Sequence, residues 1–367
     1  MNTWNGEKLR ISVFGESHGK AVGCVIDGLP NGIHLDYDFI KHELDLRKPA
    51  SSAFDTKRCE TDEYEIISGV TRDITNGSPL CVIFKNKDAK SSDYNTFVPR
   101  PAHADFAAYV KYNGNCDLNG GGHFSARLTA PLVFAGAICR CELNKRNILS
   151  ASAISSIGKT TAKSFYDVEI NSELISNLDK RFPLIDDNCY EALNKELEFA
   201  KSNNDSVGGT VECCLINLPI GLGEPFFNSV ESTIAKIIFS IPAVKGIEFG
   251  KGFELSKMYG SEANDEYNAK NIKKFFENPY NSAEIAYTNN AGGINGGLTN
   301  SMPVVFKVAF KPIPSIAQNQ KSVDMLSYEP VIVKTEGRHD VCAALRGAVV
   351  VRAAACICIY DYLIGGA

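Results

Sequence analysis

No Cys-x-x-Cys pair occurs in this chain, although it carries 12 cysteines. That absence argues against a zinc ribbon or a thioredoxin-like site. Cys213 and Cys214 sit in a strand pattern, Cys356 and Cys358 in an alanine-rich apolar run, and Cys139 and Cys141 flank one arginine. They read as buried thiols of a reducing cytosol, acting as small apolar side chains. An excess of positive charge is also missing. The net charge of -5 argues against a general nucleic-acid binder and leaves room for a local basic pocket. The N-terminus (Asn2, Asn5, Glu7, Lys8) is polar, without the apolar core of a secretory signal. No apolar run of about 18 residues stands out, so no membrane-spanning helix is expected. Repeats, low-complexity tails and clear linkers are lacking too. With 44% apolar and 22% charged residues, the 367 positions are expected to build one large domain, 1–367.

The strict alternation of strand and helix that makes a parallel sheet is absent. Strand patterns at Ile11–Phe14, Val22–Gly28, Glu65–Val70, Leu80–Phe84, Gly209–Leu218 and Pro303–Phe310 mix irregularly with helical ones. Helices are expected at Asp36–Leu46, capped by Asp36, and at Ala104–Tyr112, Ser125–Leu143, Tyr190–Lys201, Val230–Phe239 and Ala348–Leu363. The first should deliver Arg47 and Lys48 into a loop. Residues 85–99 read as loop and 262–287 as a surface excursion. This mixture predicts an α+β fold with antiparallel sheets packed on helices.

Histidine is scarce, at 6 residues, yet His18, His103, His123 and His339 all fall in Gly- or Arg-rich stretches. His18 lies in GESHG (15–19), His103 in RPAHAD (100–105), His123 in GGGHFSAR (120–127) and His339 in GRHD (337–340). The clustering suggests one site assembled from distant loops, with imidazole for proton transfer and arginine for anions. His34 and His42 read as structural. The glycine run 120–122 could offer backbone N–H groups to a phosphate at a helix start, or simply make a turn. A second run, 292–297, suggests backbone pressed against a flat ligand or another strand. Arg47, Arg127, Arg338 and Arg346 near such loops favour a polyanionic ligand over scattered surface ion pairs.

Taken together, nine ordered stretches resemble the chorismate synthase family: GESHG with GCVIDGLPNGI, DLRKP, RPAHAD, GGGHFSAR, GLGEP, FSIPAVKGIEFGKGF, NNAGGINGGLTN, KPIPSI and GRHDVCAALR. The resemblance implies helices sandwiched between antiparallel sheets and a homotetramer. It implies a lyase that eliminates phosphate from 5-enolpyruvylshikimate-3-phosphate to give chorismate, in aromatic amino acid biosynthesis. The implied cofactor is reduced FMN, used without net redox change. No Gly-x-Gly-x-x-Gly follows a strand, so an external flavin reductant is expected.

By the same resemblance, His18 stands near the leaving phosphate, His103 near flavin N1 and Asp340 near flavin N5. Arg47, Arg127, Arg338 and Arg346 match the anion pocket. His123, Phe124, Ser125, Pro242, Ala243, Gly296, Lys311, Pro312, Ile313, Pro314, Ser315 and Arg338 match flavin-contacting positions. No metal is implied. Five places depart from the family pattern. His123-Phe124 replaces Arg-Ser, Ala53 an arginine, Pro242 an asparagine, Ile313-Pro314 a Thr-Ser pair, and Val341 a proline. Ala53, His123 and Phe124 motivate an alternative: a flavin- or anion-binding paralogue that has lost catalysis.

Overall fold

Alternating apolar residues in the first 85 positions fold into an antiparallel sheet. The computed structural model describes residues 2–49, 54, 60–87, 97–277, 284–335 and 340–366. Strands β1 (Thr3–Asn5), β2 (Arg10–Gly15) and β3 (Ala21–Asp27) lead to helix α1 (Tyr37–Arg47). Strand β4 (Tyr64–Ser68), the small hairpin β5 (Val70–Thr71) and β6 (Ile74–Thr75), and β7 (Leu80–Lys85) follow. The first sheet has the order β1-β2-β3-β7-β4, every pairing antiparallel.

After α2 (Asp105–Lys111) and α3 (Thr129–Asn144) the chain enters β8 (Leu149–Ile157) and β9 (Thr160–Thr161). Next come α4 (Ser172–Asn177), α5 (Tyr190–Ser202), β10 (Gly209–Ile216), α6 (Val230–Ile238) and β11 (Val244–Phe249). The 262–287 region carries α7 (Gly260–Ala263) and α8 (Ala269–Glu277), neither of which buries a residue. Then follow the hairpin β12 (Ile294–Asn295) and β13 (Leu298–Thr299), strand β14 (Val304–Phe310), the hairpin β15 (Gln320–Val323) and β16 (Pro330–Val333), and α9 (Ala343–Gly365). The second sheet is β11-β14-β10-β8-β9, again antiparallel throughout.

Helices α1, α3, α6 and α9 pack between the two sheets, which bears out the expected α+β sandwich. One apolar core runs from Trp4 to Tyr362. Helices α3 and α9 are apolar on all sides because they face protein all round. By length and composition alone the helical stretch 119–144 and α9 are each long and apolar enough to cross a bilayer. Their apolar windows are 72% and 89% buried inside the fold, so both serve as core helices. They cross closely at Gly136, where a Cβ would lie 2.4 Å from Ala353 Cβ. Glu43 of α1, fully buried, binds Arg140 of α3 and Arg352 of α9, the latter at 2.7 Å. Buried Asp361 accepts from the backbone N–H groups of Glu7, Lys8 and Leu9 at 2.6–2.9 Å, joining the last helix to the first sheet.

Several expectations shift. Asp36 does cap α1, accepting from Phe39 N at 2.9 Å. Arg47, however, is the last residue of that helix rather than part of a loop. Ile40, Glu43, Leu44 and Arg47 form its buried face, at the spacing a helix requires. Helix α3 starts at Thr129, after a 3₁₀ turn over Ala126–Leu128, and α9 starts at Ala343. Strands β1, β6, β8, β9, β11, β12, β13, β15 and β16 have no counterpart in the sequence reading. Seven cysteines (24, 139, 213, 214, 342, 356 and 358) are buried, and the described cysteines are unpaired.

Candidate active site

The glycine run 120–122 does not open a long helix. All three residues have positive φ, from 51° to 89°, and the backbone wraps around the loop after β2. A Cβ on Gly120 would lie 1.9 Å from His18 Cε1, so only glycine admits the ring there. Ser17 N donates to Gly122 O at 3.1 Å. Ser17 Oγ lies 2.9 Å from His18 Nδ1 and 3.2 Å from Gly120 O. With the hydroxyl proton donated to Gly120 O, Ser17 Oγ accepts Nδ1–H, which orients the ring and leaves Nε2 as its other polar atom.

From this loop a continuous chain of hydrogen bonds leads to the C-terminal motif. Asn86 Nδ2 donates to Glu16 O and Gly19 O at 3.0 and 2.9 Å, and its Oδ1 accepts from Arg127 Nε at 3.0 Å. Arg127 and Arg47 both bind the carboxylate of Asp62. Arg346 Nε donates to Arg47 O at 2.8 Å, and Arg346 Nη1 binds Asp340 Oδ2 at 2.6 Å. Residues 16 to 346 thus meet in one cluster, as the scattered motifs suggested. Helix α1 supplies Arg47 from its buried face. The 3₁₀ turn capped by Ser125 Oγ supplies Arg127, and α9 supplies Arg346 from its first turn.

Charge in this cluster is tightly coupled. Burial alone would raise the Asp62 carboxyl, but Arg47 and then Arg127 hold it below the usual carboxylate value. Arg47 is lowered, first by burial and then by the like charges of Arg346 and Arg127 against the opposing pull of Asp62.

A second group forms around His103. Its Nε2 lies 2.9 Å from Ser315 Oγ, and Lys311 Nζ donates to Ala102 O at 2.8 Å. Lys311 N donates to Ala243 O at 2.9 Å, Ala243 having φ of 72° just after Pro242. Ser206 Oγ donates to Ile313 O at 2.6 Å, Gln320 Nε2 to Pro314 O at 3.4 Å, and Pro312 packs beside Gly208. Asp105 is occupied by Arg100 through Nε at 2.7 Å and Nη2 at 2.9 Å, so this pair buttresses the loop. Burial and then the like charge of Lys245 depress the Lys311 ammonium.

The stretch 119–125 touches the His18 loop and the far end of α2. Gly120 meets His18. His123 meets Tyr112, at the end of the helix that begins beside His103, with ring centroids 5.5 Å apart, and Phe124 at 4.1 Å. Gly296 lies elsewhere, at the tip of the β12–β13 hairpin, which is tied to the 221–230 segment by Val230 N to Gly297 O at 3.0 Å. The glycines before it press on backbone rather than a ligand: a Cβ on Gly292 would lie 2.3 Å from Gly250 N. Ala53, Arg338 and His339 fall outside the described residues. His34 bridges to Ile74, and His42 Nε2 lies 3.3 Å from Asp179, matching structural roles.

Asp62 and Asn86 join the site without having been expected from the sequence. The signal for Asp62 is faint, since it sits in the acid-rich run Glu60–Glu63, which resembles a solvated turn.

Comparison with known proteins gives a consistent match. The family model described as chorismate synthase covers residues 9–364. A chorismate synthase of Thermococcus kodakarensis is 43% identical over 361 residues, covering 98% of this chain and 97% of that protein. One of Methanocaldococcus jannaschii is 40% identical over 381 residues, with 100% and 97% coverage. Among solved structures, a crystal structure of chorismate synthase superposes with a TM-score of 0.71 at 28% identity, covering 98% of this chain and 92% of that one.

Proposed function

The chain belongs to the chorismate synthase family, and from that premise we propose how its residues share the chemistry. The activity is that of a lyase of the shikimate pathway, elimination of phosphate from 5-enolpyruvylshikimate-3-phosphate to give chorismate. The alternative of a paralogue without catalysis is not favoured, given relatives of that name at about 40% identity over their full length.

The observation that carries the residue assignment is the hydrogen-bonded chain from the His18 loop through Asn86, Arg127, Asp62, Arg47 and Arg346 to Asp340. Arg47, Arg127, Arg346 and Arg338 bind the anionic groups of the substrate. His18, steadied at Nδ1 by Ser17, donates a proton to the departing phosphate. Asp340 receives a proton at its carboxylate and orients Arg346. His103, held by Ser315, would exchange a proton with a flavin bound beside it.

The family works with a flavin, and the flavin here is reduced FMN. The residues fit such a group. Lys311 feels the like charge of Lys245, a repulsion that a phosphate would relieve, and His123 and Phe124 bring two rings together, with centroids 4.1 Å apart. Ser125, Ala243 beside Pro242, and the Pro312, Ile313, Pro314 and Ser315 loop would line its surroundings; Gly296 and Arg338 are assigned to it by resemblance alone. When bound, reduced FMN supplies electron density that assists loss of the phosphate and a nitrogen that takes the ring proton, with no net oxidation. An external reductant keeps it reduced.

The chain works in the cytosol as a single domain over 1–367. Its exposed Phe226 and Phe227 support assembly with further copies, as a homotetramer. A fluorescence titration of oxidised FMN with and without substrate tests the shared pocket. Tighter binding with substrate is expected, because each ligand orders the site for the other. Equal affinities contradict the assignment.

A further inference from the structure

Two of the assigned substrate arginines, Arg47 and Arg127, converge on Asp62. Its residue is 4% exposed, and Arg47 and Arg127 are 3% and 6% exposed. Its backbone is left-handed, with φ of 52°. Non-glycine residues hold that conformation when the surroundings over-determine it, and such positions gather at functional sites. Among the described residues, each arginine also keeps one buried nitrogen without a partner, Arg47 Nε and Arg127 Nη2. Buried donors on a cation are costly to leave unmade, so an incoming acceptor would complete them. The charges agree: two guanidiniums and one carboxylate leave a single positive charge, enough for one oxyanion group.

We propose that Asp62 is a positioning residue that yokes Arg47 and Arg127 so that their unpaired donors together take one oxyanion group of the substrate. This rests on the reading of the cluster as the substrate site. The carboxylate neutralises the repulsion between the guanidiniums and fixes their spacing. The same bonds tie α1, which carries Arg47, to the turn that carries Arg127. Through Asn86 the clamp extends to the His18 loop, so anion position and proton donor are set by one network.

Asp62→Glu keeps the charge but moves the carboxylate by one methylene, so it reports position alone. The expected result is a KM for substrate raised about tenfold or more, with kcat within about threefold. Calorimetric titrations of inorganic phosphate and of shikimate, which has the carboxylate without the phosphate, should show one of the two weakened. The affected probe identifies the group that the arginines hold. Asp62→Asn, examined alongside, should also bind that probe more weakly because the guanidiniums then repel each other. Unchanged KM with reduced kcat, unchanged affinity for both probes, or tighter binding by Asp62→Asn would overturn the proposal. Wild-type protein that binds a probe, loses that binding on Asp62→Glu, yet releases no phosphate from the substrate would sink the catalytic reading and keep the clamp.

Discussion

Adding one methyl group at Gly120 tests whether the glycine run exists to seat His18. The backbone there has φ of 60°, and a Cβ would lie 1.9 Å from His18 Cε1, 2.0 Å from Nδ1 and 2.6 Å from Ser17 Oγ. Ordinary contact needs roughly 3.5 Å, so the ring must retreat by about 1.5 Å. Misplacement of a reacting group by about 1 Å costs on the order of 10²-fold in rate. Left-handed backbone adds about 1–2 kcal/mol of instability for alanine. Gly120→Ala should therefore stay folded, melt a few degrees lower and lose about 10²-fold in turnover. Gly121→Ala is the control. Its φ of 89° imposes the same kind of strain, but its Cβ would meet only Ser125 Cβ at 3.8 Å. Phosphate release under anaerobic conditions, compared between the two variants at matched folded fraction, separates strain from displacement. Equal turnover in both would refute the seating argument.

His18→Ala and His103→Ala should each lower turnover by about 10²-fold or more while the protein stays soluble, measured by phosphate release and circular dichroism. Asp340→Asn should slow the chemical step with little change in substrate affinity. Much weaker binding at unchanged turnover would leave Asp340 only the role of bracing Arg346. Stability should fall in acid partly through Asp62. Its folded carboxyl is depressed, so its contribution is complete above the unfolded value of about 3.9 and is lost as pH falls through the lower folded value. Urea unfolding of Asp62→Asn across pH should show a flatter acid limb than wild type.

The family's motifs are legible because they are short, ordered strings of glycine, histidine and arginine. What brings them together is not. Asp62 lies among Glu60, Thr61 and Glu63, a composition that normally faces water, and only tertiary packing turns it inward against two arginines. Asn86 ends a strand where asparagine usually marks a turn, and its role needs three partners from two other segments. Among the strands, β8 escaped notice because its serines and alanines carry little strand propensity. Those small residues let α9 approach, with Ser150 Oγ 3.2 Å from Cys356 Sγ. Arg47 was placed in a loop because the following Lys48-Pro49 reads as a break, yet the last helical turn reaches it. The buried arginine resembles a surface cation until Asp62 is in view.

The most direct test is an anaerobic assay of the purified protein with 5-enolpyruvylshikimate-3-phosphate and chemically reduced FMN. Inorganic phosphate and chorismate should appear in equal amounts, with FMN still reduced at the end and needed only in catalytic quantity. Folded protein that binds both ligands but releases no phosphate, or that consumes reduced FMN in proportion to product, would contradict the account.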